Sequence, residues 1–390
     1  MPGIPEYIEQ FGPISFCDRP FSSADNLTFC EFSYLDIEHV VSPSFDDEPQ
    51  PFSKVCNDLF ALHGYVHKPL GLVLPANPSE DSMRMAIQKR FSEVKLWAVQ
   101  TAYERSPALQ FAAMTFLLPT GDAVVTFRGT DDTLAGWIED LNLFLQDSIP
   151  SQPLAQAYLN EVASRTKGGI YLCGHSKGGH LALYSAVTAD EALRARIKGV
   201  YNNEGPGYLN YDLFKTAAYR ELLERYHHYV PYASFIGMML AHDYDYAAVF
   251  STKHLGPFQH DVGSWQIVNG AVITREDVNS LAKITDIVFS DFLQSISESQ
   301  RKILAETADK LSSAAGEELL MGIVRHFPRE VFSTYQNWFT FPKEDRRTFH
   351  AAFKAFPEIV KRTVKNIKED AVPAAAKSAG VLLRKVTARV

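Results

Sequence analysis

The sequence predicts an α/β fold with a mostly parallel central sheet, followed by a helical C-terminal extension, and three observations carry that expectation. The first is Ile170-Tyr171-Leu172-Cys173-Gly174-His175-Ser176-Lys177-Gly178-Gly179-His180 followed by Leu181-Ala182-Leu183-Tyr184. An apolar run, Gly-His-Ser-Lys-Gly and a helix-forming segment fit the strand, sharp turn and helix of a nucleophile elbow. The second is that short apolar runs alternate with helical stretches on either side of this element, the pattern of a parallel sheet covered on both faces. The third is that the apolar spacing beyond residue 275 becomes helical.

Taken in order, residues 1–23 are rich in Pro, Phe and Ser without clear periodicity and predict an arm on the surface. Asn26 to Val40 is the first packed segment, and Ser42 to Pro51 an acidic, proline-bearing loop. Met85, Ile87, Phe91, Val94, Leu96, Trp97 and Val99 predict helices between Asp81 and Ser106. Phe111 to Leu118 and Ala123 to Phe127, joined by Pro119-Thr120-Gly121-Asp122, read as a β-hairpin. Helices follow at Leu134 to Gln146, with Trp137 and Leu141 on one stripe, and at Leu154 to Arg165.

After the elbow, Gly199 to Asn202 and Arg225 to Val230 are further strands, the second stopped by Pro231. Phe235-Ile236-Gly237-Met238-Met239-Leu240 reads either as a buried helix or as the wall of an acyl-chain pocket, a use suited to methionine's adaptable side chain. Ala247 to Ser251 is a strand, and Asn269-Gly270 marks a tight hairpin. These features place an α/β domain at residues 24–275. Residues 276–390 form the helical region, with helices at Ser280 to Leu293, Ser297 to Leu311 and Glu317 to Ile323, and a break at Phe327-Pro328. From Lys343 on, Phe349, Phe353, Phe356, Ile359, Val360 and Val364 alternate with basic residues, interrupted at Pro357 and Pro373. Such a basic amphipathic tail either docks on its own domain or offers a contact for a protein or an anionic membrane surface.

Composition narrows the function classes. The chain has 390 residues, 46% of them hydrophobic, and a net charge of -8, which argues against nucleic acid as the main partner. Residues 343–390 carry 12 Lys and Arg against 5 Asp and Glu, so the acidic balance lies in the rest. Cys17, Cys30, Cys56 and Cys173 have neither CxxC spacing nor disulfide-framework density. With no basic, apolar leader at Met1-Pro2-Gly3-Ile4-Pro5 and no apolar run of transmembrane length, the expectation is a soluble, cytoplasmic protein.

The chemistry centres on Ser176. Side chains at Gly174 and Gly178 would collide with the neighbouring strand and helix when the serine is pushed into its strained turn. A serine hydroxyl needs a base to take its proton as it attacks a carbonyl. His260 fits that role, because it follows the elbow in the order Ser, acid, His and sits in a Gly-Pro-Phe-Gln-His-Asp loop. His175 should point beneath the turn and pack there. For the acid, Glu204 lies at the carboxyl end of the strand after the elbow helix, where parallel-sheet sites assemble. Asp243 and Asp245 remain alternatives. Asp131 and Asp132 lack clustered His or Cys partners, so no metal is expected, and no cofactor.

Val125-Thr126-Phe127-Arg128-Gly129-Thr130, Trp137, Asp140 and Gly174-His175-Ser176-Lys177-Gly178-Gly179 resemble the class 3 (fungal-type) lipase pattern of α/β-hydrolases. A closer resemblance is to a bacterial family of uncharacterised hydrolase-like proteins distantly related to those lipases. It rests also on Asn203-Glu204-Gly205-Pro206-Gly207, Gln259-His260-Asp261 and Ser264-Trp265, and spans about residues 25–275. The resemblance implies an α/β-hydrolase fold and an oxyanion hole made by the backbone N–H groups of Thr130 and Lys177. The Lys177 side chain is expected in solvent, and Arg128 and Asp140 are expected to form pairs inside the fold. The lipases place an aspartate shortly before a Val-Pro, whereas this chain has His228-Tyr229-Val230-Pro231. The function expected is a serine esterase acting on a small-molecule, lipid-like or short acyl ester through an acyl-enzyme on Ser176. The rival is a non-catalytic hydrolase scaffold that binds a ligand or protein.

Overall fold

Strand β4 (Ala123–Phe127) shows how the layers of this molecule are assembled in a computed structural model, which describes residues 2–64, 78–242, 245–254, 256–314 and separate stretches between 342 and 365. All five of its residues are buried, and their side chains alternate between two cores. Val124 belongs to one core, while Ala123, Val125 and Phe127 belong to the other. In β5 (Ile170–His175), Cys173 faces the first core, and Ile170 and Leu172 face the second. A sheet buried on both faces needs a helical layer on each side, and the chain supplies both.

Among the described residues the sheet has nine strands. The remaining ones are β1 (Gln50–Pro51), β2 (Lys95–Arg105), β3 (Ala108–Leu117), β6 (Ile197–Asn203), β7 (Tyr226–Pro231), β8 (Ala247–Val249) and β11 (Thr274–Arg275), in the order β1-β2-β3-β4-β5-β6-β7-β8-β11. From β4 to β8 the strands run parallel, while β1 to β4 and the β8–β11 edge pair antiparallel. The expected hairpin is β3 and β4, with Ala113 opposite Phe127 and Leu117 opposite Ala123. A separate ribbon, β9 (Ile267–Val268) and β10 (Ala271–Val272), turns at Asn269 and Gly270, both with positive φ.

One helical layer comes from the N-terminal part: α1 (Ile4–Phe11), α2 (Ser23–Phe32), α3 (Phe52–His63), α4 (Pro78–Ala86) and α5 (Lys89–Ser92). The surface arm expected for residues 1–23 is therefore corrected. Ile4, Tyr7, Ile8 and Phe11 have i, i+3, i+4, i+7 spacing and all are buried. The helix starts at a Gly3 amide that donates to the Glu6 carboxylate at 2.7 Å. The expectation of helices throughout Asp81 to Ser106 also needs correction, since Lys95–Arg105 is β2 and pairs with β3 along its length. Its register shifts between Trp97 and Gln100, where Ala98 has a φ of 51°.

The other layer is built from α6 (Leu134–Leu145), α7 (Ser151–Arg165), α8 (Lys177–Thr188), α9 (Glu191–Arg196) and α10 (Ala217–Leu222). Tyr158, Leu159 and Val162 of α7 meet Leu181 and Leu183 of α8 above β4 and β5. On α6 the apolar stripe is turned outward, with Trp137 37% and Leu141 42% exposed, while Glu139 and Asn142 point inward.

Phe235 to Leu240 makes a single 3-10 turn, with Met238, Met239 and Leu240 buried. Met238 packs with Val230 and Ala248, and Met239 and Leu240 pack with Leu143 and Ile149. The short α11 (Gly256–Gln259) precedes His260. Helices α12 (Ser280–Ser295) and α13 (Glu298–Ala314) dock on α6: Leu304 and Ala305 pack with Leu145, and Asp309 Oδ1 accepts from Asn142 Nδ2 at 3.2 Å. Ile359 and Thr363 are buried, and Arg362 pairs with Asp291 at 3.2 Å. The segments Glu317 to Ile323 and Phe327-Pro328, with Phe349, Phe353, Phe356, Val364 and Pro373, lie outside the described residues. No described helix is long and apolar enough to cross a membrane.

Candidate active site

Strand β5 delivers Ser176 into a backbone conformation that L-residues avoid, with φ 56° and ψ -132°. The neighbourhood enforces it. A Cβ on Gly174 would run into the backbone of Gly178, and one on Gly178 into the carbonyl of Phe127 on β4. Ser176 N donates to the Asn203 carbonyl of β6 at 3.0 Å, and the Ser176 carbonyl accepts from Gly179 N at 2.9 Å, starting α8. The residue is 9% exposed, and among the described residues its hydroxyl makes no hydrogen bond.

Glu204 stands at the end of β6, also with positive φ, and its amide donates to the Tyr229 carbonyl of β7 at 2.7 Å. Its carboxylate is fully buried. Oε1 accepts from Ser234 Oγ at 2.7 Å and Phe235 N at 3.1 Å, and Oε2 lies 2.9 Å from His260 Nδ1. The structure therefore brings together the expected acid and base. Of the alternatives, Asp245 is exposed, whereas Glu204 is fully buried, and Asp243 lies outside the described residues.

The His260 loop is held by its neighbours in sequence. Gln259 accepts from Ala233 N at 2.9 Å and donates to the Lys253 carbonyl at 2.8 Å. Trp265 Nε1 donates to the Gln259 carbonyl, and Ser264 Oγ to the Asp261 carbonyl. His175 ties this loop to the elbow: its Nε2 is 2.7 Å from the His260 carbonyl, and its Nδ1 is 2.7 Å from Tyr34 Oη. Burial holds the His175 imidazole well below the usual histidine range, so it is neutral. A neutral ring with Nε2–H donating to the carbonyl leaves Nδ1 to accept from the tyrosine. The His175 and His260 rings have centroids 4.4 Å apart, which sets His260 at the same end of the sheet as Ser176. Among the described residues Ser176 and His260 share no direct hydrogen bond; the imidazole's Nδ1 is directed to Glu204.

Thr130 follows β4. Close packing at Gly129, where a Cβ would meet the His175 carbonyl, presses this loop against the elbow. Thr130 Oγ1 donates to Asp140 Oδ1 at 2.8 Å, and burial pushes the Asp140 carboxyl up to about 6. Lys177 opens α8, so its amide belongs to the first turn, where N–H groups lack partners within the helix and the dipole favours negative charge. The solvated side chain expected for Lys177 is corrected: it is buried, and Nζ is 2.7 Å from Glu139 Oε2. Arg128 pairs with Glu38 at 2.9 Å, not with Asp140. Asp131 accepts from Thr133 N and Oγ1 at the start of α6. No described group of three or more His, Cys, Asp or Glu is arranged to hold a metal ion.

Four residues of this neighbourhood escape sequence reasoning: Tyr34, Gln110, Glu139 and Ser234. Their partners lie 141, 67, 38 and 30 residues away, so no local pattern could point to them. A family model described as Mbeg1-like matches residues 85–309, a stretch that contains Thr130, Ser176, Glu204 and His260. No curated protein and no solved structure matches the chain.

Proposed function

Given that the chain belongs to the Mbeg1-like family, which is linked to lipase-like proteins, we propose that it is a serine hydrolase cleaving carboxylic esters through an acyl-enzyme on Ser176. The observation that carries this reading is the 2.9 Å contact between Glu204 Oε2 and His260 Nδ1 beside a serine held in a strained elbow. With Nδ1–H donated to Glu204, Nε2 keeps its lone pair and acts as the base.

In the reaction proposed, Ser176 Oγ attacks the ester carbonyl carbon while its proton passes to His260 Nε2. The carbonyl oxygen becomes an oxyanion that accepts from the amides of Thr130 and Lys177. Protonated His260 then gives its proton to the departing alkoxide as the C–O bond breaks, leaving the acyl group on Ser176. Water, deprotonated by His260, attacks the acyl carbon, and the carboxylic acid leaves as Ser176 regains its proton. Buried Glu204 steadies the imidazolium formed in both halves. The resemblance to class 3 lipases favours lipid-like acyl groups. A cytoplasmic location goes with this reading, as does a contact role for the basic C-terminal helices.

Labelling with a fluorophosphonate, which phosphonylates activated serines, tests the proposal. The native chain should take the probe and Ser176→Ala should not. Equal labelling of both, or of neither, would sink the reading and favour a non-catalytic scaffold.

A further inference from the structure

The Lys177 side chain has no access to solvent or to a substrate. It runs away from the elbow into the space between α6 and β3, and each of its three ammonium protons has an acceptor: the Gln110 carbonyl at 2.7 Å, Gln110 Oε1 at 2.8 Å and Glu139 Oε2 at 2.7 Å. Glu139 is equally enclosed. Its Oε2 also accepts from Gln110 N at 3.0 Å, and its Oε1 from Ser151 N, the first residue of α7, at 3.0 Å. Two charges are thus removed from water with their hydrogen bonds complete on both sides.

Stability is a poor reason for this arrangement. A buried ion pair is often no better than apolar residues of the same volume. A cation on the first residue of a helix also faces the positive end of the helix dipole. What the pair does provide is geometry. It ties the residue after Ser176 to three elements at once, the start of β3, the middle of α6 and the start of α7. Ser176 sits in a conformation that the local backbone alone would relax, and on the function proposed above the residue that follows it supplies one of the two amides that meet the oxyanion.

We propose that Glu139 and Gln110 are positioning residues which, through the Lys177 side chain, fix the Lys177 amide and the Ser176 backbone in the geometry that the oxyanion requires. The inference rests on the reading of Ser176 as the nucleophile. Displacing an oxyanion donor weakens binding of the transition state more than that of the substrate, so the loss belongs in kcat.

The test uses the full chain and short p-nitrophenyl esters, with the folded fraction measured by near-ultraviolet circular dichroism. Glu139→Leu combined with Lys177→Met removes both charges while keeping the space filled, so its thermal midpoint should stay near the native one. Its kcat per folded molecule should fall about 10- to 100-fold with KM within about twofold. A double variant with native kcat at native stability overturns the proposal. Should that variant fail to fold, Glu139→Gln decides on its folded fraction: lowered kcat with unchanged KM supports the brace, and native kcat removes it. Fluorophosphonate labelling separates the two levels of the argument. A native chain that takes no probe at Ser176 overturns the hydrolase reading and this inference together, whereas a labelled native chain with unimpaired variants overturns the inference alone.

Discussion

Glu204 meets three donors, Ser234 Oγ, Phe235 N and His260 Nδ1, so its carboxylate has one orientation and little freedom to leave it. Replacing one oxygen by an amide puts a donor where an acceptor is required and turns the imidazole to the wrong tautomer. Glu204→Gln should therefore lower kcat for p-nitrophenyl ester hydrolysis by roughly 10²- to 10⁴-fold. Asp245→Asn, at an exposed position, should keep the native rate, because the imidazole's Nδ1 already meets Glu204. The reverse result would move the acid elsewhere. Ser176, Glu204 and His260 are legible as candidates because their order follows from the strand order of a parallel sheet. Lys177 is half legible. Its amide follows from its place after the serine, but the direction of its side chain depends on Glu139 and Gln110, distant in sequence.

Among the elements, α1 shows how a polar contact anchors an apolar helix. Tyr7 Oη donates to Asp25 Oδ1 at 2.7 Å, and the same carboxylate receives Arg90 Nε at 2.7 Å and Nη2 at 2.6 Å, joining α1, α2 and α5 where no water reaches. Arg90 further donates to the carbonyls of Ile14, Arg19 and Pro20. Asp25→Ala would leave a buried guanidinium without its counter-charge and should destabilise the fold by about 3–5 kcal/mol in urea unfolding. A loss below about 1 kcal/mol would mean that α1 and α5 are held by packing alone. The spacing of Ile4, Tyr7, Ile8 and Phe11 carries α1, yet the surrounding prolines mask it. Strand β2 is harder to read for a different reason. The irregularity at Ala98 leaves Leu96, Trp97, Ala98 and Val99 buried in succession, erasing the alternation that marks a strand. On α6 the legible stripe, Trp137 and Leu141, faces outward, and the contacts to Lys177 and Thr130 come from Glu139 and Asp140.

For the molecule as a whole, the layer of N-terminal helices encloses acidic groups beside the His260 loop. Glu31 on α2 and Asp81 on α4 are each 4% exposed, and Asp261, the neighbour of His260, completes the group. Burial, with Asp81 and Asp261 adding to it, holds the Glu31 carboxyl well above the usual range, and burial pushes Asp81 up to about 6. Groups whose values rise on folding favour the folded state while protonated. Their contribution is complete below the carboxylate range of the unfolded chain and is lost as pH climbs through 6 and beyond. The native chain should lose more stability between pH 5 and pH 8 than Glu31→Gln combined with Asp81→Asn, measured by urea unfolding at both values. Identical pH dependence of the two proteins would refute this. The sequence makes the layered architecture legible through its alternating strands and helices. It does not show which helices cover which face, because that choice is made by contacts such as Phe29 on Phe116 and Leu159 over β4, far apart along the chain.

The rims of the sheet carry a consequence for behaviour at high concentration. Among the described residues it ends at β1 and β11, each two residues long, the first containing Pro51 and the second the exposed Arg275. A proline offers no amide to an incoming strand, and a charged tip repels close stacking, so both of these margins discourage edge-to-edge pairing of folded molecules.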